Sequence, residues 1–568
     1  MRSGADSRRC LGLALILTLA LAAVSAQAQQ LPVQPRQDQG DRILREEMER
    51  ERERLLRQPT PRIEQPAAPA AVGPDPAEVA EAGPVFRIVR IEVQGDDLLP
   101  APVLARRLQP FTGLDLGAVR IGLLLQGLNA DLIEAGLITS RAYVVSQNLA
   151  SGVLSLRIVP GRIEAIRYNG RPLEADAFSD AGVRLALPMA VGDILQLRDI
   201  EQGLDQLNRL RGRQAQVRIV PGQTPGGSLL DFIDPPAASA WRAWLGADNQ
   251  GSPATGTRRL RLGLEVGDLL GLNEAVNVGY TGSLETNALN AGLSLPWGYN
   301  TFSLLTTWSE YQSLIGNVAL LHGSSTNHAA SWNRLLFRDR DTKVAADLAL
   351  SVREARRDIN NVALAPQKLT VLRAGINRLT RFETAGLAGQ WVLDAGFSRG
   401  LDAFGAMGDA GAGGGPAPRS RFGKLDVSGS TALHLPGNWS LRGNGAWQWS
   451  GVPLFSSEQI FVGGVASVRG FAESAAGGDR GGYWRTELAR SLAAAPVGLH
   501  FEPFAFWDAG YVRTLASGRA STLMSAGLGL RVASSAGHLE VIAGRPVVHP
   551  SDMPDTAFRL NLSLTLFF

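Results

Sequence analysis

The residues of this chain that could do chemistry point to ion pairing rather than to bond making. No G-x-S-x-G elbow and no H-E-x-x-H run occurs, so the patterns of a serine hydrolase and of a zinc protease are missing. The six His, among them His322 and His328, have no accompanying ligand set and read as wall or loop residues. The tract GDAGAGGGPAP, Gly408–Pro418, is not followed by Gly-Lys-Ser/Thr, so it reads as a flexible loop and not as a phosphate cradle. Asp508, Glu487 and Arg469 are better placed. In LHFEPFAFWDAGY, Leu499, Phe501, Ala505, Trp507 and Tyr511 share one strand face, which leaves Glu502, Phe504, Phe506, Asp508 and Gly510 on the other. Glu487 falls on the corresponding face of WRTELAR. Arg469, in GGVASVRGF, taken alone reads as a solvated turn arginine.

The elements that must carry these residues are strands. FRLNLSLTLFF, Phe558–Phe568, alternates strictly, with Phe558, Leu560, Leu562, Leu564, Leu566 and Phe568 on one face and Arg559, Asn561, Ser563 and Thr565 on the other. RLRLGLEV from Arg259, VAADLALSV from Val344, LDVSGSTALHL from Leu425 and MSAGLGLRV from Met524 repeat the pattern. A soluble half-buried strand can look like this once. An outer-membrane barrel needs it in every strand, apolar toward lipid and polar toward the lumen. All 11 Trp fall between Trp241 and Trp507, as the aromatic girdles of a barrel require. No later run reaches about 18 apolar residues, the length a helical span needs. Residues 236–568 therefore read as a transmembrane β-barrel with membrane lipid against its outer face, and strands of about 10 residues allow roughly 14 to 18 of them.

The other end of the chain reads as an export signal. Arg2, Arg8 and Arg9 precede an apolar run from Leu11 to Val24, with Ala26-Gln27-Ala28 as the cleavage site, so residues 1–28 are expected to be removed. Cys10 would leave with them and no thiol would remain. What stays has 53 basic against 52 acidic residues, a balance with no footprint for nucleic acid. Within the N-terminal segment 29–57, DRILREEMERERERLLR, 41–57, has twelve charged residues in seventeen, six of each sign. Its i,i+4 pairs, such as Glu46 with Arg50, predict a helix that is polar nearly all round. Ile43, Leu44, Met48, Leu55 and Leu56 make no heptad stripe for a coiled coil. Such a helix is either solvated or housed in a wet lumen. A Pro-rich linker, 58–84, follows.

Residues 85–161 and 162–235 then repeat one outline. The first copy opens with FRIVRIEVQG, Phe86–Gly95, and continues with a short helix near Pro102–Gln109 and a longer one from Ala118 to Ala135 with Ala118, Ile121, Leu125, Leu128 and Leu132 as its apolar stripe. Gly136 ends that helix, and strands RAYVVS and GVLSLRIV follow. The second copy has RIEAIRYNG, a helix around Leu197–Leu210, VRIVPG and SLLDF.

These modules resemble POTRA domains, and the whole resembles the two-partner secretion transporters, the TpsB or haemolysin-activator type that includes the transporters of filamentous haemagglutinin. LNADLIEAGLITSRAYVVSQNLASGVLSLRIVPGRIEAIRYNG and LRDIEQGLDQLNRL carry the likeness in the modules, GGVASVRGF and FWDAG in the barrel. The resemblance implies a barrel of about sixteen antiparallel strands, preceded by two small α+β POTRA domains and an N-terminal plug helix. It implies that Val468, Arg469, Gly470 and Phe471 belong to a loop folded into the lumen, where Arg469 meets Asp508 of the strand motif that contains Phe506 and Gly510. Glu487 is a second, weaker partner for Arg469. Phe568, Leu566 and Leu564 resemble the terminal signal read by the barrel-assembly machinery. The implied setting is the outer membrane of a Gram-negative bacterium, with the modules in the periplasm and a barrel that works alone. The implied partner is a large secreted protein, an adhesin, a cytolysin or a contact-dependent toxin, and no cofactor or metal is called for. Alternatives are an outer-membrane assembly insertase, which carries more modules, and a diffusion porin, which needs none.

Overall fold

The computed structural model describes residues 39–57, 75–174, 178–235, 239–252, 256–315, 318–409, 417–494, 498–551, 553 and 558–568. The leader 1–28, linker residues 58–74 and residues 410–416 of the glycine-rich tract lie outside the described residues.

Alternating sequence becomes a closed wall. Sixteen antiparallel staves run from Trp241–Asp248 to Arg559–Phe567, each paired with its sequence neighbour, and the last pairs with the first from Trp244↔Phe567 to Asp248↔Ser563. Closure leaves no unpaired edge, which is how a β-structure survives in hydrocarbon. Leu260, Leu262 and Leu264 of Arg259–Gly267 and Leu425 and Val427 of Gly423–Leu435 stay exposed on the outer face of the wall. Trp241, Trp297 and Trp439 sit at the module end of their staves and Trp447 and Trp449 near the opposite end, two girdles at the two interfaces.

Inside the barrel lies the helix Gln39–Arg57. At 1.5 Å per residue it is about 28 Å long, close to the roughly 25 Å apolar height of such a wall. Its polarity suits a wet lumen: Asp41 accepts from Arg353 at 2.7 Å and from Asn327 at 3.3 Å. A cavity of about 640 Å³ remains beside it, lined by Glu46, Trp244, Arg261, Asn277 and Asn333 among others.

The first module has helices Ala101–Leu108 and Ala118–Glu134 against strands Arg90–Gln94, Val153–Val159 and Arg141–Val144, in that order, the first pair parallel. Leu124, Leu128 and Leu132 of the long helix meet Leu154 and Leu156 of the central strand in a sealed core. Phe86–Gly95 is not one strand. Ile88 turns into the core, so Phe86–Arg87 pairs separately with Asp115–Leu116. Residues 75–84, at the end of the stretch read as linker, rest on this module: the Glu81 carboxylate accepts from the backbone N–H groups of Gly117, Val119 and Arg120.

The second module holds its sheet, Arg171–Pro172, Arg162–Tyr168, Gly227–Ile233 and Gln216–Pro221 in that order, under the helix Leu197–Asn208. Leu197, Ile200, Leu204 and Leu207 face its core. The polar face of the same helix is buried too, against the barrel rim. Arg338 donates to Glu201 at 3.0 Å and to Asp205 at 2.6 Å, and Lys343 donates to Asp205 at 2.6 Å. Gln206 donates to the Gly298 carbonyl at 2.9 Å, and Arg209 to those of Asn273 and Ser294. These contacts seat the module at the mouth of the barrel.

Candidate functional site

Between staves Trp439–Ser450 and Arg480–Arg490 the chain does not return directly but folds into the lumen, where Ile460–Val462 and Ala476–Gly478 form a small hairpin. Positive φ at Gly463 and Gly464 turns the backbone, and Ser467 Oγ accepts from the Gly463 N–H at 2.8 Å. Val468 and Phe471 then enter an apolar foot with Val462, Ala476, Val512 and Leu523. The wall is shaped for it. A Cβ on Gly510 would stand 2.8 Å from Val468 Cγ2. At Gly470, with φ +94, a Cβ would press within 3.3 Å of the Arg545 backbone.

Arg469 is the centre of the clasp, fully buried, as is Asp508. Its Nε and Nη2 bind the two oxygens of Asp508 at 2.8 and 2.7 Å, and its backbone N–H adds a third bond at 3.0 Å. Its Nη1 donates to Glu487 at 2.9 Å. The guanidinium lies 4.0 Å from the ring centroid of Phe506, a cation–π contact that supplies attraction where water is excluded. Phe506 and Phe504 in turn lie flat because the next stave offers Gly527 and Gly529, where Cβ atoms would stand 2.6 and 2.1 Å from the rings. A charge buried this deeply is tolerable only when paired; removing one partner of such a pair costs about 3–5 kcal/mol. The arrangement binds the infolded loop to the wall.

The motif residues Val468, Arg469, Gly470, Phe471, Phe506, Asp508, Gly510 and Glu487 thus come together on one patch of inner wall. Leu564 and Leu566 lie apart from it on the outer parity of the last stave, with Phe568 exposed beyond them. His322 and His328 face outward, His322 Nδ1 at 3.2 Å from Asp358 and His328 Nδ1 at 3.1 Å from Thr306 Oγ1. No cluster of three or more His, Cys, Asp or Glu that could hold a metal occurs among the described residues. Sequence reasoning left out Arg442, Arg531 and Glu540. Arg531 and Glu502 form a cross-strand pair, Arg442 grips Glu502 at 2.8 and 2.7 Å, and Arg531 reaches Glu540 at 2.8 Å. A signal existed in MSAGLGLRV, where Arg531 is the one long side chain on an inward face otherwise made of Ser525, Gly527 and Gly529. The loop also touches the plug helix: Arg42 pairs with Glu473 at 3.1 Å and Arg45 donates to the Gln459 carbonyl at 2.9 Å.

Known proteins share this construction. The sequence profile of the haemolysin secretion/activation protein family ShlB/FhaC/HecB matches residues 226–532, and POTRA profiles match 162–221 and, in its ShlB-type form, 86–161. The chain is 33% identical over 503 residues to the outer membrane transporter CdiB of Escherichia coli, covering 85% of this chain and 83% of that one. It is 28% identical over 445 residues to the hemolysin transporter protein ShlB of Serratia marcescens, covering 76% and 75%. The solved structure of CdiB from Escherichia coli aligns with a TM-score of 0.82 at 29% identity, over 95% of this chain and all of that one. Two POTRA modules, a sixteen-stranded barrel and a relative of this closeness place the chain in the ShlB/FhaC/HecB family, the outer-membrane transporters of two-partner secretion.

Proposed function

We propose that this transporter receives a large exported partner in an unfolded state on its periplasmic modules and conducts it through the barrel to the cell surface. The observation that carries this reading is the content of the lumen. A polar-walled pore is occupied by a charged helix held through hydrogen bonds and ion pairs such as Asp41 with Arg353, contacts that water can replace when the helix leaves. The modules offer open sheet edges, Gln216–Pro221 in the second and Arg141–Val144 in the first, to which an extended guest can add by main-chain hydrogen bonds. The related names, a CdiB transporter and a hemolysin transporter, favour a contact-dependent toxin or a cytolysin over an adhesin. The outward leucines meet outer-membrane lipid, and the last stave with Phe568 is the segment offered to the barrel-assembly machinery. No catalytic step enters this reading.

Arg469 and Asp508 hold the infolded loop beside the conduit in one conformation. Arg469→Ala should therefore leave a folded, heat-modifiable barrel whose secretion of a co-expressed partner falls by about a hundredfold or more, the factor that corresponds to the roughly 3 kcal/mol or more of docking lost with one partner of a buried pair. Wild-type secretion by a barrel lacking that guanidinium would sink the proposal.

A further inference from the structure

We propose that Arg531 is a positioning residue of the loop clasp, which presents Glu487 to Arg469 and so sets how firmly the loop is held inside the barrel. The inference rests on the reading that the clasp is needed for secretion.

Glu487 is held by two arginines. Its Oε2 accepts from Arg469 Nη1 at 2.9 Å and from Arg531 Nη2 at 2.8 Å, while Oε1 takes the Nη1 of Arg531. Arg531 thus engages both oxygens and Arg469 only one. The same Arg531 Nη1 reaches Glu502 at 2.8 Å, and its Nε reaches Glu540 at 2.8 Å. Three carboxylates from three staves therefore converge on one guanidinium. Without it they would repel one another across a partly dry wall, where like charges a few ångströms apart are costly. Glu502 keeps both bonds from Arg442, whereas Glu487 loses both of its bonds to Arg531 and keeps only the hydrogen bond from Arg469, so Glu487 is released to swing, and its swing removes a partner of Arg469.

Two further features fix Arg531 in that role. Backbone register places it directly opposite Glu502 on one side and Glu540 on the other, so its reach is set by the barrel and not by the loop. Its guanidinium lies 4.1 Å from the Phe504 ring centroid, as that of Arg469 lies 4.0 Å from Phe506. The two rings are 6.4 Å apart on one stave, so the two cations occupy adjacent stacking places along it. Arg442 is no substitute. It binds Glu502 through both oxygens, but its Nη1 is 3.7 Å from Glu487 Oε1, beyond a hydrogen bond.

A simple wall staple would hold staves together without affecting the loop, and the test separates the two. The full-length transporter is co-expressed with its secreted partner, barrel assembly is read from heat-modifiable mobility, and trypsin is applied to intact cells. Fragment masses report cleavage after Arg469, a bond that is buried while the loop is inside. Arg531→Gln is expected to assemble, to lose secretion by about tenfold, the scale of one lost charge-assisted hydrogen bond, and to expose the Arg469–Gly470 bond. Arg531→Lys, a point charge that cannot bridge three carboxylates, should fall between. Arg531→Gln with Glu487→Gln should be no worse than either alone, because residues acting through one contact are not additive. The proposal is overturned if Arg531→Gln secretes normally with Arg469 protected while Arg469→Ala is defective, or if the Arg531 and Glu487 effects multiply. Should Arg531→Gln not assemble, the lysine variant decides: partial loss with partial exposure supports the role, and wild-type behaviour overturns it. Normal secretion by Arg469→Ala sinks the clasp itself and is read separately.

Discussion

Glu81 shows how a single carboxylate can order a region that its sequence marks as linker. The helix Ala118–Glu134 starts at Gly117, which has no side chain to cap it, and the cap comes from Glu81 instead. Desolvation pushes this carboxyl up, but the N–H groups of Arg120, Gly117 and Val119 and the Arg120 charge outweigh it, so its pKa lies below the usual carboxylate value. A group whose folded pKa is depressed stabilises above its unfolded pKa and loses that contribution as pH falls through the folded one. Amides of the helix should therefore lose hydrogen-exchange protection, corrected for intrinsic rates, as pH drops from about 6 toward about 3. In Glu81→Gln protection should be lower near neutrality and nearly flat over the same range; parallel curves would refute the cap. Residue positions were legible where they follow parity, as for Asp508, whose inward face follows from its stave alone. Glu81 was not, because it sits among prolines and its partners lie some thirty-six positions away. Arg531 was legible in type but not in partner, since its meaning depends on register across three staves.

Elements were read well where periodicity decides and less well where tertiary contact does. The long helix of the first module and the helix Leu197–Asn208 follow directly from apolar spacing. The strand expected over Phe86–Gly95 breaks because Ile88 is drawn into the core, a pull invisible to local alternation. The charged segment is the sharper case: i,i+4 pairing announces a helix but gives it no address. Its place in the lumen depends on partners far along the chain, Asp41 with Arg353 and Arg42 with Glu473. A helix about 10 Å wide standing in the barrel should block much of its ion current. Deleting residues 41–57 should raise single-channel conductance in planar bilayers severalfold over the full-length protein. A deletion variant that conducts as little as the parent would mean that the helix is not the plug.

At the scale of the molecule, the transporter is one connected assembly. The second module is tied to the rim through Asp205, Arg338 and Lys343, the loop to the wall through Arg469, and the plug to the loop through Arg42. The ring itself closes at a short seam whose register spans Trp244↔Phe567 to Asp248↔Ser563. Side chains lengthen it. Asn249 accepts from the Leu562 N–H at 2.8 Å and donates to the Leu560 carbonyl at 2.9 Å at one end. At the other end Arg242 stacks on Phe567 at 3.4 Å, and the Phe568 N–H donates to the Ala243 carbonyl at 2.9 Å. Deleting Phe568 removes that last bond and an exposed aromatic on the outer parity, but leaves the clasp, the plug and the rim contacts intact. Less protein should therefore reach the heat-modifiable, membrane-inserted form, while secretion per inserted molecule stays at the wild-type level. If insertion is unchanged and secretion per molecule falls, Phe568 acts in transport and not in closing the wall.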